Sequence, residues 1–377
     1  MRIEQGVSGG SPIIAGSAHE HHAGMMLQQL GSYDDGGQPS KSMGAILRAI
    51  QETLIASLAR AIPRGSRVAL IDYPRHTNVG DSAIWLGERK LLHHIGARVV
   101  YLADMSQYDS GRMRSLLGDG IVLIHGGGNF GDLWPSHQAF RERVLADFPD
   151  NTILQLPQSI HFDDQANAAR VKKAIARHRR FTLFVRDRQS LAIARDRLGI
   201  EALLAPDSAF GLWPLQRIGR PNRSHVIQRR TDKELASSDP VADSFDWLTP
   251  PGRIESKMDK QIPNARRLMR YGPLGAAMYG AWLDRLALLR VRRGLRLLSR
   301  GEVVITDRLH GALLSLLADI PVVALDNRTG KISAVLQTWL DGAPGLALAN
   351  TVSEAVRLAE QMRFHRKSSN HGCPAPS

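Results

Sequence analysis

Val303-Val304-Ile305-Thr306-Asp307-Arg308-Leu309-His310-Gly311-Ala312, continuing through Leu313 to Asp319 and then Ile320-Pro321-Val322-Val323-Ala324-Leu325-Asp326-Asn327, is the stretch whose reading decides the fold. A β-branched run ends in a charged pair, an apolar segment of about three turns follows, and a second Val-rich run closes the unit; this is the pattern of strand, helix and parallel strand. The loop after the first strand of such a unit opens onto the crevice where open α/β sheets bind ligands. Arg308 and His310 are thereby expected where chemistry takes place.

Working outward, the same alternation recurs toward the N-terminus. Ile46, Leu47, Ile50, Leu54, Ile55, Leu58 and Ala61 recur at three and four, which predicts a helix over 44–61. Strands are expected at 67–72, 98–102, 120–124, 152–156, 181–185 and 202–204, with helices at 83–95, 164–178 and 188–198 between them. After Trp213-Pro214 a second sheet is expected to start at 224–228. Residues 237–263, rich in Asp, Ser and Pro, read as loop with only a short Phe245-Asp246-Trp247-Leu248 segment. Helices resume between 265 and 298. The resulting division is a polar, disordered tail over 1–43, an N-terminal α/β domain over 44–213, a C-terminal α/β domain over 214–345 with a basic helical segment at 265–300, and a C-terminal helix with a polar tail over 346–377. Two α/β domains facing across a cleft is the expected architecture.

A chain of 377 residues that is 43% hydrophobic is long enough for sizeable cores. Its 49 Lys and Arg against 36 Asp and Glu give a formal net charge of +13, which favours an anionic partner: nucleic acid, an acidic membrane face or a phosphorylated small substrate. Cys373 is the one cysteine, so neither an intramolecular disulfide nor a multi-thiolate metal site is expected, and a reducing cytoplasm fits. No apolar run approaches the roughly 20 residues that span a bilayer, and no secretory signal is read at the N-terminus. The cluster His19-Glu20-His21-His22 is open to a metal-binding reading, but its polar surroundings favour a disordered tail.

Three strand-end loops carry the polar residues of most interest. In Asn78-Val79-Gly80-Asp81, Asn78, Asp81 or the following Ser82 can each cap the next helix, and Asp81 can instead be a cleft carboxylate able to bind a sugar hydroxyl or take its proton. In His125-Gly126-Gly127-Gly128-Asn129-Phe130-Gly131-Asp132, three glycines after a buried strand either make a tight turn or let backbone N–H groups approach an anion. In Thr306-Asp307-Arg308-Leu309-His310-Gly311, Arg308 can grip a carboxylate or phosphate and His310 can exchange a proton, or Arg308 is a structural ion pair. Arg186 at a strand end, the Pro206-Asp207-Ser208 turn and Asp326-Asn327-Arg328-Thr329-Gly330-Lys331 join them, a set suited to a small substrate with more than one negative charge. No His/Asp/Glu set has an obvious metal spacing.

In order and combination these motifs, with Leu156-Pro157-Gln158-Ser159, Arg186-Asp187-Arg188-Gln189-Ser190 and Pro206-Asp207-Ser208-Ala209-Phe210, resemble the polysaccharide pyruvyl transferase family from Arg67 to about Leu340. The resemblance implies transfer of the enolpyruvyl carbons of phosphoenolpyruvate onto a sugar as a ketal, in exopolysaccharide or cell-wall glycan assembly. It also implies two facing Rossmann-like domains similar to GT-B-like glycosyltransferases, no metal, and no cofactor beyond phosphoenolpyruvate as donor. On this reading His310 is the proton donor and Asp81 or Asp207 the base, while Arg308, Arg186, Lys331, Gly126, Gly127, Gly128 and Asn129 bind the donor. The expected acceptor is a saccharide, with a polyprenyl-diphosphate-linked one considered.

The segment 265–300 holds nine arginines against the single acid Asp284. It reads as a helix packed through Leu283, Leu286, Leu289 and Leu297 with a solvated basic face. The sharper alternative lays that face, through Arg290, Arg292 and Arg293, on anionic lipid at the cytoplasmic side of the membrane. The rival functions are a nucleotide-sugar glycosyltransferase of the same architecture and a nucleic-acid-binding protein. Against the latter stand the absence of a recognised binding module and an aromatic content of 6%.

Overall fold

Val-, Ile- and Leu-rich runs bury both faces of their strands, as parallel sheets between helices require; Val68, Ala69, Leu70 and Ile71 are all fully buried. The computed structural model describes residues 42–236, 241–248 and 252–371, with side chains as far as Phe364. The expected tail over most of 1–43, its His19-Glu20-His21-His22 cluster and Cys373 lie outside the described residues.

β1 (Arg67–Ile71), β2 (Arg98–Ala103), β3 (Ile121–Ile124), β4 (Gly127–Gly131), β5 (Ile153–His161), β6 (Phe181–Val185) and β7 (Leu203–Leu204) form one seven-stranded sheet. The order is β2-β1-β3-β5-β6-β7, with β4 beside β5 and every pairing parallel. β8 (Arg223–Gln228), β9 (Ser244–Phe245), β10 (Gly301–Thr306), β11 (Val322–Leu325) and β12 (Leu346–Ala349) form a second parallel sheet in the order β12-β11-β10-β8-β9. The opening stretch is strand β10, helix Leu309–Leu317 and parallel strand β11, in register Val304 to Val322. The described residues belong to one compact unit that holds both sheets.

Several local expectations change. Residues 253–260, read as part of a loop, form the helix Arg253–Lys260. The glycine stretch after β3 is a short strand, because β5 runs past the end of β3 and offers its free flank; Gly127 pairs with Gln158 and Gly131 with His161. Asp81 is not a cap. The helix begins at Val79, four residues earlier than its apolar pattern predicts, and Asn78 caps it by accepting the Gly80 amide at 3.1 Å.

The basic segment forms the helix Gly272–Leu298, preceded by Arg253–Lys260 and Ile262–Arg266. Leu283 and Leu286 are buried as expected, and Leu289 and Leu297 half-buried. The placement of Arg290 and Arg293 on lipid is overturned. Arg290 is fully buried, donating to the carbonyls of Pro74 (2.8 Å) and Arg75 (3.1 Å) and to Asp259 (2.9 Å). Arg293 donates to the carbonyls of Trp247 and Thr77 and pairs with Glu255. Peptide carbonyls and acids from the neighbouring loop and helix draw these guanidinium groups inward, so both residues stitch loops to the long helix.

Gly131 tests the β4 pairing. Its φ is 114°, and a Cβ there would lie 1.8 Å from the His161 carbonyl oxygen. Gly131→Ala should lose at least about 1–3 kcal/mol in urea unfolding, the usual cost of forcing such a backbone. Gly111→Ala, where the nearest atom would be 3.6 Å away within a helix, should be neutral or gain about 0.5–1 kcal/mol. Equal stability of the two variants would contradict the pairing.

Candidate active site

Since all pairings are parallel, the C-terminal ends of the strands in each sheet gather along one edge, where α/β proteins place their ligands. A cavity of about 310 Å³ lies there. Asp72 after β1, His125, Gly128 and Asn129 after β3, and Arg186 after β6 come from the first sheet, with Asn78 and Asp81 from the helix start. Arg230, Asp232 and Glu234 after β8, Trp247 after β9, Arg308 and His310 after β10, and Lys331 after β11 come from the second.

Arg186 is buried, with Nε donating to Ser159 Oγ at 2.9 Å and Nη1 to Asp207 at 2.5 Å. Its Nη2 and the Lys331 ammonium converge on Gly128, where a Cβ would lie 3.0 and 3.1 Å from them. Glycine is what the approach of two cations to this backbone allows. Lys331 pairs with Glu234, which also lies 3.2 Å from Arg230. Burial pulls the Lys331 amine down from its ordinary value against the pull of Glu234. Burial would raise Glu234, but Lys331 and Arg230 outweigh it and hold the carboxyl low.

Arg308 sits in a carboxylate fork. Nε and Nη2 donate to the two oxygens of Asp246 at 2.7 and 2.6 Å, and Nη2 also to Asp232 at 3.1 Å. This is the ion pair that the sequence left open as the alternative to a ligand clamp, and the residue still lines the cavity. The other glycines stand further back. The Gly126 amide donates to Glu88 at 2.8 Å, and Gly127 pairs with β5, so neither is among the lining residues, whereas Gly128 and Asn129 are. The Asn129 side chain is spent on Arg141, Gln158 and His137.

His310, at the start of its helix, packs on the Gly80 backbone, and its Nε2 lies 3.4 Å from Asp207 without hydrogen-bond geometry. Asp81 accepts from Asn78 Nδ2 at 2.7 Å and lies 3.5 Å from His76. Burial pushes its carboxyl up, but the charges of His76, His310, His125 and His137 outweigh burial and keep it ionised below the ordinary range. Asp207 is fully buried, does not line the cavity, and caps the turn Ser208–Leu212 through the Ala209 amide. There too burial acts upward, and His310 and Arg186 drive the carboxyl well below the usual range.

Sequence reasoning missed several groups in or behind the lining. His137 Nδ1 lies 2.9 Å from Asp72, a buried strand-end residue with φ 69°; Glu88 pairs with His125 at 2.7 Å. Trp134, under the Lys233 ammonium at 3.9 Å, and Trp247 add apolar surface. Away from the cavity, Asp132, His161 and Asp163 are grouped as metal ligands would be. The Asp132 carboxylate is already taken there by the amides of Asp163 and Asp164 at 2.9 Å.

The sequence model of the polysaccharide pyruvyl transferase family matches residues 78–329, from the cap of Asp81's helix to the loop before Lys331. The chain belongs to this family. Pyruvyl transferase 1 of Schizosaccharomyces pombe is 35% identical over 289 residues, 73% of this chain and 70% of its own. A Bacillus subtilis protein named as a pyruvyl transferase, EpsO, is 31% identical over 318 residues, 82% and 96% of the two chains. A crystal structure of a functionally uncharacterised Klebsiella pneumoniae protein shares the fold, with a TM-score of 0.52 at 17% identity over 80% of this chain and 98% of that one. As a member of the polysaccharide pyruvyl transferases, the protein is a pyruvyltransferase of polysaccharide biosynthesis with a saccharide acceptor.

Asp207 carries a pH signature. A carboxyl held lower in the folded than in the unfolded state stabilises above its unfolded pKa of about 3.9 and loses that contribution as pH falls through its folded value. Asp207→Asn should therefore be about 3–5 kcal/mol less stable than the parent at pH 7, the cost of breaking a buried pair. The gap should narrow only once pH drops below about 4. A gap that is flat with pH in urea titrations would refute the assignment.

Proposed function

We propose that this pyruvyltransferase takes its pyruvyl group from phosphoenolpyruvate and closes a ketal across two hydroxyls of a saccharide. The observation that carries the reading is the convergence of Arg186 Nη2 and Lys331 Nζ on Gly128, in the same cavity as His310 and Asp81. Preorganised cations of this kind stabilise charge most in a water-poor cleft. The two sheets are read as the two facing Rossmann-like halves of a GT-B-like enzyme, with the cavity between their strand ends.

In the reaction, Arg186, Lys331 and the outer edge of Arg308 hold the phosphate and carboxylate. His310 protonates the methylene carbon, one sugar hydroxyl adds to the resulting oxocarbenium-like carbon, phosphate leaves with its C–O bond, and the second hydroxyl adds. Two hydroxyl protons are released, one replacing that given to the methyl group and one leaving with phosphate. Asp81, ionised and lining the cavity, is the better base than Asp207, which is enclosed by its partners. The latter orients Arg186.

His310→Ala should lower kcat by about 10²–10⁴-fold while phosphoenolpyruvate still binds in calorimetry. In Arg186→Ala the donor affinity should collapse. Normal turnover in the first variant, or unchanged affinity in the second, would overturn these roles; mass spectrometry of the acceptor for the pyruvate ketal checks the product.

No helix among the described residues is long and apolar enough to cross a membrane. A peripheral contact is proposed at the start of the long helix and the turn before it, and not at Arg290. Tyr271, Leu274 and Met278 are 57%, 69% and 49% exposed beside the exposed Arg267 and Arg270, and no acidic residue occurs between Asp259 and Asp284. Apolar side chains ringed by arginine suit an anionic lipid surface and a lipid-linked acceptor. Arg267→Gln with Arg270→Gln should weaken sedimentation with anionic vesicles roughly 30-fold, at about 1 kcal/mol for each charge. Unchanged sedimentation would rule the surface out.

A further inference from the structure

Glu88 lies on the buried side of the helix Val79–Ile95, with its side chain fully enclosed. Both its oxygens are committed: Oε2 lies 2.7 Å from His125 Nδ1, and Oε1 accepts the Gly126 amide at 2.8 Å. His125 follows β3 and lines the cavity. Its second ring nitrogen, Nε2, has no hydrogen-bond partner among the described residues, although the side chain is 3% exposed. Buried polar nitrogens are nearly always paired, so an unpaired one at a ligand cavity calls for a function. The arrangement is that of an oriented base: one ring nitrogen fixed by a carboxylate, the other left to act.

We propose that His125, positioned by Glu88, is a second proton-transfer group of this site, giving a proton to the departing phosphate and taking one from the hydroxyl that closes the ketal. The proposal rests on the phosphoenolpyruvate reading above. Nε2–H passes its proton to the bridging oxygen as the C–O bond to phosphate breaks, while Nδ1–H stays with Glu88. The second hydroxyl then adds to the carbon and its proton returns to Nε2. The first hydroxyl's proton goes to Asp81 and resupplies His310, so both imidazoles end as they began. Location supports the division of labour. Glu88 holds the ring and the Gly126 amide together, which couples His125 to the segment containing Gly128, where Arg186 and Lys331 converge.

The charged groups acting on the ring are consistent with an acid. Burial disfavours the imidazolium, but Glu88, Asp72 and Asp81 outweigh it and raise the His125 pKa above its ordinary value. Three further imidazoles, His76, His137 and His310, line the same cavity, and His76 and His125 disfavour each other's charge.

The test separates protonation of carbon from loss of phosphate. In D₂O with acceptor present, an enzyme that protonates the methylene reversibly places deuterium in recovered phosphoenolpyruvate. His125→Asn should keep this exchange but release phosphate about 10²–10⁴-fold more slowly, whereas His310→Ala should lose both. Glu88→Gln should shift the high-pH limb of phosphate release to lower pH at unchanged phosphoenolpyruvate affinity, an effect that a purely structural pair would not produce. Parental donor affinity in calorimetry certifies the fold of each variant, and Glu88→Gln alone decides the matter if His125→Asn does not fold. Normal phosphate release in His125→Asn, equal loss of exchange and release, or an unmoved pH limb would overturn the proposal. A parent enzyme that neither binds nor consumes phosphoenolpyruvate would instead overturn the donor reading.

Discussion

A carboxylate with no exposed surface, Asp207, is the constraint on which the site depends. A buried charge is tolerated only when it is paired and hydrogen-bonded, and Asp207 draws its partners from both sheets. Arg186 arrives from the end of β6, His310 from the helix after β10, and the Ala209 amide from its own turn. Losing Arg186 would leave that charge uncompensated, so one requirement fixes the arginine and brings His310 to 3.4 Å from the same carboxylate. The loop after β6 is bound again to the second sheet's helix Lys331–Leu340, through Trp339 Nε1 to the Arg186 carbonyl at 2.7 Å and the Arg188 amide to Thr338 at 3.2 Å. Lys331 begins that helix, so its register against Arg186 follows from the same contacts.

How far the sequence discloses such a site depends on where each residue's partners lie. Strand-end residues were legible, because alternating strand and helix with parallel pairing puts Asp81 and Arg186 at one edge of the first sheet and His310 and Lys331 at one edge of the second. Glu88 was not. In the sequence it is a charged residue beside Arg89 and Lys90, and only the packing of its helix on β3 shows that it faces inward. Asp246 was hidden for a different reason: it follows a strand of two residues, β9, in a segment whose polarity reads as loop. The strand β4 escaped notice because glycine disfavours strands, and only the overhang of β5 makes the pairing worthwhile.

The same distinction applies to net charge. The excess of arginine in 265–300 is a property of the composition, yet Arg290 and Arg293 spend their guanidinium groups on carbonyls and acids inside the protein. They fasten the loop after β1 and the backbone of Trp247 to the long helix, and thereby fix one wall of the cavity. Counting charges would assign them to an external partner. Following their hydrogen bonds assigns them to the architecture, whereas Arg267, Arg270, Arg285, Arg292 and Arg296 remain exposed.

An acid-rich lining is at first sight a poor host for the proposed anionic donor, but the pairing geometry resolves the conflict. Asp246 and Asp232 take the Nε and Nη2 edge of Arg308, and Asp207 takes Nη1 of Arg186; Arg308 Nη1 and Arg186 Nη2 make no hydrogen bond among the described residues. The carboxylates thus stabilise cations that burial would otherwise disfavour, while Arg186 Nη2 stays beside Gly128 in the cavity lining. A guanidinium suits this division because its planar fork presents several donors in fixed directions, whereas an ammonium is a single point charge. The cost is a weaker net field than four free cations would give. What is gained is orientation already in place before the ligand arrives, and in a water-poor cavity orientation is the larger contributor to catalysis.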